Sequence, residues 1–82
     1  MAWYVYLLQC KDASLYTGIT TDIVRRVKEH NAGKGSKAVR AKLPAKLVYS
    51  EKAKDRSEAS KRECEIKQIS REDKLVLIGS KI

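Results

Sequence analysis

Residues 3–20, Trp-Tyr-Val-Tyr-Leu-Leu-Gln-Cys-Lys-Asp-Ala-Ser-Leu-Tyr-Thr-Gly-Ile-Thr, decide the fold, because they predict two strands joined by a short turn. The run from Trp3 to Cys10 is apolar on both alternating faces, which is typical of a strand covered on both sides. Residues 11–14 are a polar turn signal, and residues 15–20 are rich in strand-forming types. We therefore expect a β-hairpin whose first strand is central in its sheet.

The relative positions of the tyrosines depend on the pairing of these two strands. Because side chains alternate along a strand, Tyr4 and Tyr6 share one face of the first strand, and Tyr16, Gly18 and Thr20 share one face of the second. A four-residue turn of this composition does not fix the register, and a slip of one residue would separate Tyr6 from Tyr16. Gly18 within a strand indicates a bulge or a close backbone approach, for example by a substrate phosphate.

A helix is expected after the hairpin. Thr21 or Asp22 can cap it, and the pattern carries it to about Asn31, before Ala32 and Gly33. Its inward stripe would consist of Ile23, Val27 and His30. Arg26 lies four residues before His30, so these two side chains should stack at the edge of the buried stripe.

The second half of the chain predicts one more strand and two more helices. Residues 33–44 form a loop, with room for a helical turn, and residues 45–51 form the third strand. Asp55 with Glu58 is a weak capping box for a helix to about Ile69, and Ser70 with Asp73 can cap a short last helix. The order β-β-α-β-α-α predicts an α+β fold, a small three-stranded antiparallel sheet flanked by helices, in a single domain of residues 1–82.

Charge and cysteine content narrow the class of partner and the compartment. A net charge of +8 favours a polyanion, with nucleic acid ahead of a membrane surface, although a basic chain can also simply be soluble. Cys10 and Cys64 lack the spacing of zinc ligands, so we expect two small core residues in a reducing compartment. The apolar start has no basic leader and is too short to span a bilayer, which predicts a cytoplasmic protein with no membrane partner.

Glu63 is the residue that fits its predicted position least well. It lies four residues after Ala59 and three before Ile66, on the buried stripe of its helix, where an ionised carboxylate is costly unless it is paired. A structural salt bridge between Arg26 and Glu63 is the main alternative to a functional site. Taken singly, His30 and the tyrosines are also more typical of packing than of catalysis.

The loop after the first helix is basic. Its stretch Gly33-Lys34-Gly35-Ser36-Lys37 lacks the GxxxxGK[ST] spacing of a phosphate-binding loop. A loop that contacts the sugar-phosphate backbone without reading sequence is the better interpretation. The residues expected to make such contacts are Lys34, Lys37, Arg40 and Lys42.

Five of these residues, taken in order, resemble the GIY-YIG nuclease superfamily, and most closely its small stand-alone bacterial members. Tyr4-Val5-Tyr6 corresponds to Gly-Ile-Tyr, and Tyr16-Thr17-Gly18 corresponds to Tyr-Ile-Gly, so Tyr4 and Thr17 are departures from the motif. Tyr6, Tyr16, Arg26, His30 and Glu63 fall at the family's catalytic positions. No counterpart is found for the asparagine that some of these nucleases carry after the glutamate helix.

The resemblance implies a metal-dependent endonuclease that hydrolyses phosphodiester bonds, with DNA favoured over RNA and a role in repair, recombination or processing. Glu63 would hold one Mg²⁺ or Mn²⁺, and Arg26 would stabilise charge on the phosphate. Tyr6 is the first choice as base, with Tyr16 orienting the water or taking that role, and His30 would relay a proton or contact phosphate. Gly18 and Thr20 would shape the pocket.

Two alternatives stay open at this point. The chain could be a non-catalytic module that binds nucleic acid, or a nuclease subunit that needs a partner chain. It lacks the added DNA-recognition domain of larger members, so sequence specificity would come from a partner protein.

Overall fold

The predicted hairpin is present in the computed structural model, which describes residues 2–79. The strands are β1 (Trp3–Gln9), β2 (Leu15–Thr20) and β3 (Lys46–Ala53), and the helices are α1 (Ile23–Asn31), α2 (Lys37–Arg40), α3 (Arg56–Gln68) and α4 (Arg71–Gly79). The strands form one antiparallel sheet in the order β2-β1-β3. The α+β fold and the central position of β1 are therefore confirmed.

The observed order, β-β-α-α-β-α-α, contains one more helix than the predicted order. The additional helix is α2, a single turn inside the predicted loop, where the Ser36 side chain accepts a hydrogen bond from the Ala38 N–H at 3.2 Å. Strand β3 also continues two residues beyond its predicted end at Glu51. Residues 1 and 80–82 of the predicted domain lie outside the described residues.

Strand β1 separates two apolar layers. On one face, Val5 and Leu7 pack with α3 and α4 through Ala59, Ile66 and Leu77. The opposite face is covered from α1, α2 and the residue before β3, and its members are Tyr6, Leu8, Cys10, Val27, Val39 and Ala45. The prediction that β1 is covered on both sides is thus confirmed.

The two cysteines differ in environment. Cys10 is buried, as predicted, but Cys64 is exposed, so the prediction of a core position for Cys64 was wrong. Ala59 and Ile66 define the buried stripe of α3, and Cys64 lies five residues after the first and two before the second. Neither spacing places it on that stripe, since helix neighbours on one face are three or four residues apart.

The predicted helix starts are confirmed by their capping bonds. Asp22 accepts from the N–H of Arg25 at 3.1 Å, and Asp55 accepts from the N–H of Glu58 at 2.8 Å. At the start of α4, Ser70 Oγ accepts from the Asp73 N–H at 3.1 Å. Within residues 2–79, no helix combines the length and the apolar content needed to cross a bilayer.

Candidate active site

The hairpin register places the two tyrosines on the same face. Tyr6 pairs with Gly18 and Leu8 pairs with Tyr16, so each pair shares a side of the sheet. The rings of Tyr6 and Tyr16 are therefore diagonal neighbours, with centroids 6.5 Å apart. The pairing that the turn sequence left open is the one that brings both residues to one site.

Gly18 provides the space that the Tyr6 ring occupies. A Cβ atom added to Gly18 would lie 2.5 Å from the Tyr6 hydroxyl oxygen and 2.6 Å from Cζ. Carbon atoms in ordinary contact are about 3.5 Å or more apart, so no side chain fits at this position. The close approach that the glycine indicated is made by Tyr6 itself.

His30 completes a cluster of three rings on this face. Its Nε2 shares a hydrogen bond of 3.0 Å with the Tyr6 hydroxyl, and both residues are only 1% exposed. Its ring also meets the ring of Tyr16 edge-on, with centroids 5.4 Å apart. The structure thus brings the first motif tyrosine, the second motif tyrosine and the histidine together.

The surroundings of His30 favour the neutral imidazole. Burial lowers its pKa from the ordinary value, and the positive charge of Arg26 lowers it further, whereas Glu29 acts in the opposite direction. Nδ1 is buried and has no hydrogen-bond partner among residues 2–79. A neutral His30 can exchange a proton with Tyr6 through Nε2.

The Tyr6 hydroxyl is kept protonated in this structure. Burial raises its pKa most, hydrogen bonding with the Arg26 guanidinium and its charge lower it, and electrostatic interactions with Tyr16 and with the Glu63 carboxylate raise it further. Added positive charge beside the hydroxyl is what would make Tyr6 a base near neutral pH.

Arg26 lies at the rim of the ring cluster, and its side chain is 32% exposed. Its Nη1 is 3.3 Å from Oε1 of Glu29, one turn along α1. The proposed structural salt bridge between Arg26 and Glu63 is wrong, because Glu63 instead lies 3.7 Å from Nζ of Lys67. Arg26 can therefore face both the Tyr6 hydroxyl and an anion arriving from solvent.

Glu63 approaches from the other layer, because its helix α3 packs against the opposite face of β1 and β2. Its side chain is 24% exposed, and its carboxylate is close enough to Tyr6 to raise the pKa of that hydroxyl. The neighbouring Arg62 fixes the helix by donating to Glu51 Oε1 of β3 at 3.0 Å. Helix α3 is thereby held in the rotation that keeps Glu63 partly covered.

Glu63 offers a single carboxylate as a donor for a hard cation. Within residues 2–79, no group of three His, Cys, Asp or Glu side chains is arranged to hold a metal ion. Magnesium does not require such a cage, since it is commonly held by one or two carboxylates with waters and substrate phosphate oxygens. A partly covered carboxylate whose ion pair with Lys67 is 3.7 Å long fits that mode of binding.

Thr20 and the basic residues lie around this centre. Thr20 is buried, and its Oγ1 accepts from the Asp22 N–H at 3.1 Å, so it shapes the turn from β2 into α1. Lys34, Lys37 and Arg40 are exposed on the loop and on α2. Lys42 is also exposed, but its Nζ lies 3.5 Å from Oδ2 of Asp12 in the hairpin turn.

Two residues that position this site were missed in the sequence. Asn31 forms a double hydrogen bond with the main chain of Ala45, at 2.9 Å in each direction, and so ties the end of α1 to the residue that leads into β3. The main chain of Gly35 lies against the His30 ring. The repeat of glycine at positions 33 and 35 was the only available signal for the second contact.

The sequence matches the family model of the GIY-YIG catalytic domain over residues 2–75. A UPF0213 protein of Desulfotalea psychrophila is 55% identical over 78 residues, which cover 94% of this chain and 71% of that protein. A UPF0213 protein of Staphylococcus haemolyticus is 52% identical over 75 residues, which cover 92% of each chain.

Two solution NMR structures share the fold. The UPF0213 protein of Bacillus halodurans superposes with a TM-score of 0.64 at 46% identity, over 99% of this chain and 86% of that one. A protein of E. faecalis superposes with a TM-score of 0.62 at 41% identity, over 90% and 79% of the two chains. The family match covers both tyrosine motifs and α3, which carry the candidate site.

Proposed function

Because the chain belongs to the GIY-YIG family, we propose that it is a metal-dependent endonuclease that hydrolyses phosphodiester bonds, with Tyr6, Tyr16, Arg26, His30 and Glu63 as its site. The family is one of nucleases, so a nucleic acid is the implied substrate class. We propose DNA as the substrate, in repair, recombination or processing.

The observation that carries this proposal is the hydrogen bond between the Tyr6 hydroxyl and His30 Nε2, with Arg26 acting on the same hydroxyl. A purely structural tyrosine needs one partner for its hydroxyl. Here an imidazole and a guanidinium both act on that oxygen, in a site that is open on the Arg26 side. Such an arrangement suits proton transfer between Tyr6 and His30 while Arg26 binds an anion beside them.

Within this site, each side chain has a distinct task. The Arg26 guanidinium offers a planar fork to two phosphoryl oxygens and stabilises the charge that develops on them. Tyr6 gives its own hydroxyl proton to the neutral Nε2 of His30 and takes a proton from the attacking water in its place. Tyr16 packs against His30 at the entrance and orients the water.

Glu63 would hold the single Mg²⁺ or Mn²⁺, which neutralises charge at the scissile phosphate and the leaving oxygen when it is bound. Positive charge near Tyr6 also acts against the burial that keeps its pKa raised. The exposed Lys34, Lys37 and Arg40 would hold the backbone on either side of the cleaved bond.

The test uses adjacent arginines of α1. Arg26→Ala should lower cleavage of labelled single-stranded, duplex and branched DNA by about 100-fold or more in the presence of Mn²⁺, because a charge contact made in the transition state is lost. Arg25→Ala is the matched control, since Arg25 is exposed one residue earlier. Its rate should stay within about threefold of wild type. Equal losses in the two variants would sink the assignment of Arg26.

A binding module without catalysis is the second candidate, and it is favoured by the lack of a counterpart for the asparagine that some of these nucleases carry after the glutamate helix. Such a module would bind nucleic acid with an affinity that falls steeply with salt, and it would show no metal-dependent cleavage of any of these substrates. A subunit that needs a partner chain would gain cleavage activity when it is purified with its cellular partners.

A further inference from the structure

The orientation of the His30 ring is set by only one hydrogen bond. Nε2 is bonded to Tyr6, but Nδ1 is buried and has no partner among residues 2–79. Histidines that act through one nitrogen are commonly oriented by a hydrogen bond at the other. Packing against neighbouring residues must therefore restrict the rotation of the imidazole ring.

Two neighbours supply that packing. Tyr16 meets the ring edge-on, with an angle of 66° between the ring planes. The main chain of Gly35 lies against Nδ1, so that a Cβ atom added to Gly35 would overlap Nδ1 and would lie 2.8 Å from Cε1. Gly35 thus occupies the side of the ring where no hydrogen bond is made.

Position 35 requires a glycine because there is no room for a side chain, and not because of its backbone conformation. Gly33, two residues earlier, has a φ of +79°, which favours glycine whatever its neighbours are. Gly35 has no such φ, and an alanine could adopt its backbone conformation. The imidazole of His30, which is 1% exposed, is what leaves no room for a methyl group.

We propose that Gly35 is a positioning residue that holds the His30 imidazole in hydrogen-bonding contact with the Tyr6 hydroxyl. This inference rests on the proposed nuclease function for its catalytic consequence. The stretch from Gly33 to Lys37, which does not have the spacing of a phosphate-binding loop, then has two roles. Its lysines face solvent, and its second glycine closes the inner side of the active site.

The contact makes the position of His30 depend on the basic loop. A methyl group at residue 35 would clash with the His30 ring, so either the ring or the loop has to move. A misplacement of about 1 Å in a catalytic group can cost about 100-fold in rate. Gly35→Ala should therefore act mainly on the chemical step.

The first test compares Gly35→Ala with Gly33→Ala in the full chain. For cleavage of a labelled DNA oligonucleotide with Mn²⁺, we expect kcat to fall about 10- to 100-fold in Gly35→Ala, while KM changes less than about threefold. Gly33→Ala should lower the unfolding midpoint, because of its positive φ, and should keep kcat within about threefold. Equal kcat in wild type and Gly35→Ala would overturn the proposal.

The second test does not depend on activity. His30 is the only histidine of the chain, so its imidazole signals in nitrogen-edited NMR spectra are unambiguous. They should shift in Gly35→Ala and stay in place in Gly33→Ala. Unchanged signals in Gly35→Ala would contradict the contact, whether or not the wild type cleaves DNA.

A double-mutant cycle covers the case in which Gly35→Ala folds poorly. His30→Ala leaves space for the new methyl group, so Gly35→Ala should cost little stability in that background and much more in the wild type. Rescue of folding in the double variant supports the proposal. An equal cost in both backgrounds, or a double variant that folds no better than Gly35→Ala, would refute it.

Discussion

At the scale of single residues, the candidate site contains two polar, titratable side chains that are almost fully buried. Tyr6 and His30 are each 1% exposed, and the Tyr6 hydroxyl bonds to His30 Nε2 across 24 residues of sequence. Burial raises the pKa of Tyr6 and lowers that of His30, so both are neutral at rest. When a phosphate and a cation bind nearby, their charges can shift the proton between these two neutral, hydrogen-bonded groups.

The lowered pKa of His30 predicts a dependence of stability on pH. The unfolded chain binds a proton at His30 below about pH 6.5, whereas the folded chain binds it only at a lower pH. Stability from the neutral imidazole is therefore complete above pH 6.5 and is lost as the pH falls through the folded pKa. The slope cannot exceed about 1.4 kcal/mol per pH unit for this one proton.

Urea unfolding midpoints measured at pH 7.5, 6.5 and 5.5 check this expectation. The wild type should lose stability between pH 6.5 and 5.5, and His30→Gln should lose less over the same interval. The comparison isolates His30, because the chain has no other histidine. Parallel curves for the two proteins would show that the imidazole is not responsible.

At the scale of elements, helix caps were predictable from sequence and strand register was not. Asp22 and Asp55 bond to main-chain groups three residues away, and such local bonds are visible in the sequence. The pairing of Tyr6 with Gly18 depends on how residues 10–14 fold. There Asp12 accepts from Ser14 N and Oγ, and Ala13 has a φ of +68°, a combination that the sequence did not indicate.

The same contrast between local patterns and contacts between elements explains which other residues could be identified from the sequence. Glu63 was singled out as a candidate because a charge on a buried helical stripe is visible as a pattern in the sequence. The roles of Asn31 and Gly35 were not found, because each depends on a contact between elements that only the fold brings together. Cys64 was misplaced because its residue type was given more weight than its position on α3.

Asn31 provides the prediction at this scale, because its amide replaces a strand partner for the main chain of Ala45. Asn31→Ala should lower the free energy of unfolding by about 1–3 kcal/mol, since three hydrogen bonds to the main chain are lost, two with Ala45 and one with the Val27 carbonyl. Lys28→Ala on the exposed side of α1 is the control and should change it by less than about 0.5 kcal/mol. Urea denaturation measures both, and equal stability of the two variants would argue against the amide as the tie between α1 and β3.

At the scale of the whole molecule, the candidate residues come from both layers of the sheet. Helix α1 carries Arg26 and His30 on the face that holds the Tyr6 and Tyr16 rings, and α3, which carries Glu63, packs on the opposite face. With a net charge of +8, the chain attracts polyanions wherever they bind. Both a nuclease and a binding module are expected to attract polyanions in this way. The two are distinguished by whether metal-dependent cleavage depends on Glu63.

The most direct test is the rate of Mn²⁺-dependent cleavage of labelled DNA by Glu63→Gln and by Glu65→Gln. Both variants remove one carboxylate from α3, but Glu65 is exposed, whereas the Glu63 side chain is 24% exposed and its charge raises the pKa of Tyr6. We expect Glu63→Gln to lose about 100-fold or more and Glu65→Gln to stay within about threefold of wild type. Metal-independent cleavage, or equal rates in wild type and Glu63→Gln, would contradict a metal-dependent nuclease centre at this site.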